Sequence, residues 1–281
     1  MKIASYIRNG SAGYGVVLGD AIAPLAPLLP GAPATLREAL TLGGLASLLK
    51  AGAVARAQFP LTEVTLAPVV PQPDKVLCVG INYRSHAAET GRDVSPFPSI
   101  FARLNRTLIG QGAPMPRPHN STNFDFEGEL AIIIGKGGRL IPAERALEHV
   151  AGYSIFNDGS VRDFQKHSVT TGKNFDGTGP LGPWMVTADE IPDPAKLELT
   201  TRLNGQVVQH AHTDSLIHTV QAIIAYCSSF TTLLPGDVIA TGTPEGVGAR
   251  RTPPLWMKPG DVIEVEISGI GTLRNPVVAE A

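Results

Sequence analysis

The segment from Phe124 to Ile134, Phe-Asp-Phe-Glu-Gly-Glu-Leu-Ala-Ile-Ile-Ile, constrains this chain more than any other. Read as a β-strand whose side chains alternate between faces, it puts Asp125, Glu127 and Glu129 on one side. Phe124, Phe126, Leu130, Ile132 and Ile134 then fall on the other. The apolar side requires a core, and the run of isoleucines points to a mostly buried sheet. On the acidic side, successive carboxylates stand roughly 7 Å apart, two strand rises. Like charges so placed oppose folding unless something positive sits between them. A divalent cation meets that need with carboxylate oxygens as its natural first ligands. A solvated acidic face on a half-exposed strand is the competing reading.

The remaining composition narrows the class of protein. At 281 residues, 43% hydrophobic and 17% charged, the chain is expected to be compact and globular, as one large domain or two smaller ones. Lys plus Arg number 23 against 25 Asp plus Glu, with no basic run, which argues against a nucleic-acid partner. Cys78 and Cys227 each lie in an apolar run, without a partner at metal or redox spacing, as buried thiols of a reducing compartment do. Arg8, Asn9 and Gly10 interrupt the N-terminal apolar stretch, and no apolar run reaches membrane-spanning length. A cytoplasmic protein that does not engage membranes is expected.

In chain order, Lys2 to Ile7, Tyr14 to Leu18 and Ala21 to Leu25 read as strands separated by turns. Thr35 and Glu38 have capping-box spacing ahead of a leucine stripe that Gly43-Gly44 interrupts. Three prolines between Pro68 and Pro73 suggest a linker, so a small N-terminal domain is expected over 1–70 and a larger one over 71–281. The larger domain opens with an apolar strand from Lys75, followed by a short helix in which His86 and Glu89 share a face. Such a pair serves as a base and its orienting carboxylate, or as a surface contact.

Farther on, Pro142 to Val150 reads as a helix and Gly152 to Asp158 as a strand ending on a carboxylate. Polar residues from Asp158 to Gln165 then crowd the strand end, where scaffolds present chemistry. Asn204-Gly205 signals a type I′ hairpin. Thr213 or Asp214 is placed to cap a helix carrying Leu216, Ile217, Val220, Ile223, Ile224 and Cys227. The glycine-rich loop from Ala240 to Gly248 lacks the lysine and following helix of a phosphate cradle.

Taken together, six blocks in order resemble the fumarylacetoacetate hydrolase family, in its acylpyruvase and fumarylpyruvate hydrolase branch. They are Val79-Gly80-Ile81-Asn82-Tyr83 with His86 and Glu89; Glu127-x-Glu129-Leu130; and Asn157-Asp158 with Arg162, Asp163 and Gln165. Gly172-Lys173-Asn174-Phe175, Thr241-Gly242-Thr243-Pro244 and Gly269-Ile270-Gly271-Thr272-Leu273 complete the series. The resemblance implies an α+β, mainly β fold: a mixed β-roll C-terminal domain with a small N-terminal α/β domain, typically as a homodimer. It implies Glu127, Glu129 and Asp158 as ligands of Mg²⁺ or Mn²⁺, with Ca²⁺ as a substitute; all-oxygen donors suit such hard ions. It makes His86 and Glu89 the base dyad on a lid, and Lys173 a catalytic lysine near the metal. Arg162, Gln165 and Thr243 become substrate contacts. Arg103 occupies a place where the family often has lysine, and is expected at the substrate with a forked rather than a point charge.

These roles imply hydrolysis of a carbon–carbon bond in a 2,4-dioxo acid of acylpyruvate or fumarylpyruvate type, giving pyruvate and a carboxylic acid. The setting would be catabolism of aromatic compounds or sugar acids. The same platform also serves a decarboxylase, a tautomerase or isomerase, or a hydratase acting on a 2-oxo acid such as oxaloacetate through its enolate. The dyad favours water attack and hence hydrolysis.

Overall fold

The computed structural model describes residues 1–280. Its largest sheet has twelve strands. The main path runs Phe59–Pro60, Ala21–Pro24, Ser11–Leu18, Lys2–Arg8, Gly179–Thr187, Val150–Asn157, Gly128–Ile134, Val238–Ala240, Val76–Gly80 and Ser99–Arg103. Neighbours on this path are antiparallel except Val238–Ala240 with Val76–Gly80. A five-stranded sheet orders Gln206–His212, Glu198–Leu203, Val262–Ile267, Gly271–Ala279 and Met115–Arg117. The class is α+β and mainly β, with mixed sheets, as the sequence led us to expect. Among the described residues no helix is long and apolar enough to cross a membrane.

Alternation along Gly128–Ile134 feeds two cores. Leu130, Ile132 and Ile134 pack with Val220, Ile223, Ile224 and Cys227 of the Val220–Phe230 helix and with Leu199, Val265 and Ile267 of the second sheet. Ala131 and Ile133 point the other way, toward Ile3, Met185 and Leu36, Leu40 and Leu48 of the Leu36–Val54 helix. A strand covered on both faces needs apolar residues at successive positions, which is why its C-terminal half is a continuous run. Each large side chain so buried contributes about 1.5–3 kcal/mol.

Thr35 caps the Leu36–Val54 helix by accepting from Glu38 N at 3.1 Å, and Glu38 reaches back to Ala34 N at 2.7 Å. Gly44, at φ 63°, kinks that helix where the Gly-Gly pair stands. The Pro-rich passage carries neither helix nor strand from 67 to 75. Across it the sheet and one core are continuous, since Lys2–Arg8 pairs with Gly179–Thr187 and Ile3 packs with Met185.

Three elements differ from the sequence reading. The Phe124–Ile134 segment is two strands: Phe124–Asp125 pairs with Ser160–Val161 in a separate two-stranded sheet, and Gly128–Ile134 joins the main sheet. All eleven residues are buried, so alternation between a wet and a dry face does not hold the segment in one plane. The expected helix from Pro142 is a 3-10 helix, Ala143–His149. The helix with the Ile223 stripe starts at Val220, capped by Thr219 rather than Thr213 or Asp214. Asn82 is the cause: its backbone oxygen accepts from Ile217 N at 2.7 Å and its side-chain oxygen from His218 N at 2.8 Å, which holds that stretch out of the helix.

Candidate active site

Antiparallel pairing builds the acidic centre. Gly128 faces Asn157 in register, so the strand end at Asn157-Asp158 lies beside Glu127 and Glu129. Asn157 accepts from Glu127 N at 3.0 Å, and Asp158 N donates to Glu127 O at 2.8 Å, which fixes the crossing. Glu127, Glu129 and Asp158 each offer a carboxylate oxygen, all within 4.8 Å of one another, and all three residues are buried. Asp125 does not join them. Its carboxylate accepts from Phe126 N, Gly248 N, Ala249 N and Arg162 Nε at 2.7–2.9 Å.

Three cations surround the cage. Lys173, at the end of the Val169–Lys173 helix capped by Ser168, places Nζ 2.6 Å from Glu127 Oε2 and 2.6 Å from Asp158 Oδ2. Arg162 opens the Arg162–Gln165 helix and spans Asp125, Glu127 and Gln165, with Nη2 2.6 Å from Glu127 Oε1 and Nη1 donating to Gln165 at 2.9 Å. Arg103, expected at the substrate, is engaged by protein on all three nitrogens. It pairs with Asp158 Oδ1 and also donates to Gly159 O, Thr178 Oγ1 and Thr107 Oγ1. Its forked head thus orients a cage carboxylate.

His86 lies on the Arg84–Thr90 helix, with Nδ1 2.9 Å from Glu89 Oε2. Glu89 Oε1 accepts from Gly246 N at 2.9 Å, so the glycine-rich loop holds the carboxylate that orients the imidazole. A carboxylate facing Nδ1 selects the tautomer that carries its proton there and leaves Nε2 as the base. The same loop meets the cage: Gly242 N donates to Glu129 Oε2 at 2.8 Å, and Thr243 follows, 3% exposed. The structure therefore brings together His86, Glu89, Glu127, Glu129, Asp158, Arg162, Gln165, Lys173 and Thr243, with Arg103 behind Asp158. Two buried residues were not singled out as functional in the sequence: Asp125, and Gln209, which bonds both Gly128 and Thr243. The acidic alternation marked Asp125, whereas Gln209 stands in a strand after a hairpin with no motif around it.

Electrostatics separates the three cage carboxylates. Burial opposes the ionised form of Glu127, but Lys173, Arg162 and His86 outweigh it and bring its pKa down to about 2. Burial also disfavours the Lys173 ammonium, yet Asp158 and Glu127 overcome this and raise its pKa. Burial raises Glu129 well above the usual carboxylate range, and Asp158 and Glu127 raise it further, against partial relief from Lys173 and Gly242 N–H. Glu129 has no ion pair among the described residues. A buried carboxylate without a counter-cation, beside two more oxygen donors, fits a hard divalent ion.

Residues 75–278 match the model of the fumarylacetoacetate (FAA) hydrolase C-terminal family. The chain belongs to the fumarylacetoacetate hydrolase family. It is 41% identical over 256 residues to oxaloacetate tautomerase FAHD2A, mitochondrial, of Homo sapiens, covering 89% of this chain and 81% of that protein. It resembles fumarylacetoacetate hydrolase from psychrophilic Exiguobacterium antarcticum at TM-score 0.86 and 38% identity, covering 100% of both chains. Maleylpyruvate hydrolase from Sphingobium sp. SYK-6, solved with manganese(II) and pyruvate, aligns at TM-score 0.83 and 32% identity, again over 100% of both chains. A tautomerase and two hydrolases among these relatives mark a shared enzyme platform, and the reaction must be argued from the site.

Proposed function

We propose that the protein is a divalent-metal-dependent enzyme of 2-oxo acids whose first reaction is keto–enol tautomerisation of oxaloacetate. The observation that carries this is the His86–Glu89 pair held by Gly246 beside a buried three-carboxylate cage. Proton transfer next to an enolate needs those two parts, a positioned base and a seat for charge, and nothing more. The name of the human relative supports the same reaction and reverses the preference for hydrolysis drawn from the dyad.

Glu127, Glu129 and Asp158 would hold Mg²⁺ or Mn²⁺, which when bound supplies Lewis-acid polarisation of the 2-oxo oxygen. The chain's own residues do the rest. In the direction of enol loss, His86 Nε2 takes the enol O–H proton and delivers it to C3, and in the reverse direction it carries a C3 proton to the 2-oxo oxygen, while Glu89 keeps the imidazole in the required tautomer. Lys173 stays charged between Glu127 and Asp158, beside the oxygen where negative charge develops. Arg162 and Gln165 brace Glu127 and line the same side as substrate contacts, and Thr243 meets the substrate carboxylate. Arg103 positions Asp158. With all ionised, Glu127, Glu129, Asp158 and Asp125 bring four negative charges against three from Lys173, Arg162 and Arg103. A divalent ion tips that balance positive, and an anionic substrate restores it.

Hydrolysis of an acylpyruvate is the second reading, favoured by the same base, which can activate water as readily as carbon. One assay separates the two: enol-oxaloacetate absorbance is followed alongside pyruvate and carbon dioxide release from oxaloacetate, acylpyruvates and fumarylpyruvate, with Mn²⁺ and after chelation. Enol loss without pyruvate, abolished by chelation, is the expected result. Pyruvate formed from an acylpyruvate without enol exchange would replace tautomerase by hydrolase. The His86→Ala variant should lose about 10²–10⁴-fold in kcat and keep its Mn²⁺ affinity; full activity there would remove His86 from the reaction.

A further inference from the structure

Gln209 lies on the Gln206–His212 strand of the five-stranded sheet, 2% exposed, and outside every motif of the site. Its amide joins the two site elements on which the proposed chemistry depends. Oε1 accepts from the backbone N–H of Gly128, between Glu127 and Glu129, at 3.0 Å. Nε2 donates to Thr243 Oγ1 at 2.8 Å and to Pro244 O at 3.0 Å.

These partners leave the amide one orientation. A backbone N–H only donates and a backbone carbonyl only accepts, so the oxygen must face Gly128 and the nitrogen Pro244. Both amide hydrogens are then committed, one of them to Thr243 Oγ. The Thr243 hydroxyl accepts on that side, and its own proton has no protein acceptor among the described residues. Thr243 therefore turns its O–H outward as a donor. Gly242, immediately before it, is tied to Glu129, so this donor sits next to the cage.

We propose that Gln209 is a positioning residue that makes Thr243 an obligatory hydrogen-bond donor and so selects a carboxylate at that end of the ligand. The proposal rests on the reading that a 2-oxo acid binds at the cage. Without the Gln209 amide, the side of Thr243 Oγ1 that accepts from Nε2 is released, and the hydroxyl is free to rotate and show lone pairs to an incoming carboxylate. The bond to Gly128 adds a second effect, keeping the donor in register with the strand that carries Glu127 and Glu129.

The test is titration calorimetry of the full chain, first with Mn²⁺ and then, at saturating Mn²⁺, with oxalate as an anionic probe. Wild type, Gln209→Met, Thr243→Val and the double variant are compared. Each single change is expected to weaken oxalate about 10-fold, and the double variant no more than either single one, because both remove the same donor. Mn²⁺ affinity should stay within about twofold throughout, and Thr243→Ser should retain oxalate binding. Losses that multiply to about 100-fold, or a parallel loss of Mn²⁺ affinity in Gln209→Met, would overturn the proposal by showing a merely structural role. Oxalate binding as tight in Gln209→Met as in wild type overturns it alone. A wild-type protein that binds Mn²⁺ but no oxalate removes the 2-oxo acid reading and the proposal with it. Gln209→Leu serves the same comparison if Gln209→Met does not fold.

Discussion

Asp125 and Glu129 stand four positions apart on one buried stretch, and the protein treats their charges in opposite ways. Asp125 has an arginine and three backbone N–H groups, so its charge is answered within the chain. Glu129 has one backbone N–H and no ion pair among the described residues. Asp125 therefore holds structure together, fastening the turn at Gly248-Ala249 and aiming Arg162 at Glu127. Burial makes the ionised form of Glu129 costly and raises its pKa, and a bound cation would offset that cost. Two acidic residues of one strand pattern thus divide into a structural anchor and a proposed metal ligand, and partners rather than sequence position decide which is which.

The largest effect should come from removing the anchor. Asp125→Ala leaves the Arg162 guanidinium and two loop N–H groups without their acceptor, which should cost about 3–5 kcal/mol in urea denaturation; a loss below about 1 kcal/mol would erase the distinction. Removing the ligand should act on metal instead. Glu129→Gln should weaken Mn²⁺ about 100-fold, or about 2.7 kcal/mol, while the metal-free variant melts no lower than wild type. A lower melting temperature with intact Mn²⁺ affinity would exchange the two roles. Saturating metal sharpens the same point: at about 100 times Kd it should stabilise wild type by about 2.7 kcal/mol, and scanning calorimetry should find that gain nearly absent in Glu129→Gln.

A smaller effect is expected between the two acids. A Cβ on Gly128 would clash with Thr201 Oγ1 and press on Val265, so Gly128→Ala must displace these side chains of the second sheet. This should cost about 1–3 kcal/mol; a neutral substitution would mean that these side chains give way freely. The smallest is a negative result. Burial raises both thiols, Cys227 to about 12, and at Cys78 the nearby Asp158 and Glu129 add to it. Neither should react with a thiol reagent until the protein unfolds, and rapid labelling of native Cys78 would show that the strand beside the cage opens.

Much of this was legible where local chemistry is self-sufficient. The Asn204-Gly205 turn has both residues at positive φ, and the Thr35 cap forms. Glu127 and Glu129 were marked as an acidic pair on an apolar segment and Asp158 as the end of a strand, and the family resemblance joined the three, which lie together in the structure. Partners distant in sequence were not legible. The break at Phe126-Glu127 depends on pairing with Ser160-Val161, and the late start of the Val220–Phe230 helix depends on Asn82. Over seven residues, a stripe does not separate a 3-10 helix from an α-helix, which accounts for Ala143–His149. Arg103 was noticed as a departure from the family, but its direction toward Asp158 follows from Thr107, Gly159 and Thr178 closing around it.

The N-terminal strand has a consequence for biosynthesis. Met1 bonds to Thr187, 186 positions away, and Lys2–Arg8 pairs with Gly179–Thr187. A ribosome adding 5–20 residues per second makes that strand wait on the order of 10–40 s for its partner. Until then Lys2 and Ile3 show an unpaired edge to solvent, while Thr65–Leu66 already covers Tyr6 and Ile7, and such an edge is the kind of surface on which nascent chains meet one another or a chaperone. Slower synthesis should therefore act on the yield of this protein through the late pairing of Lys2–Arg8 with Gly179–Thr187.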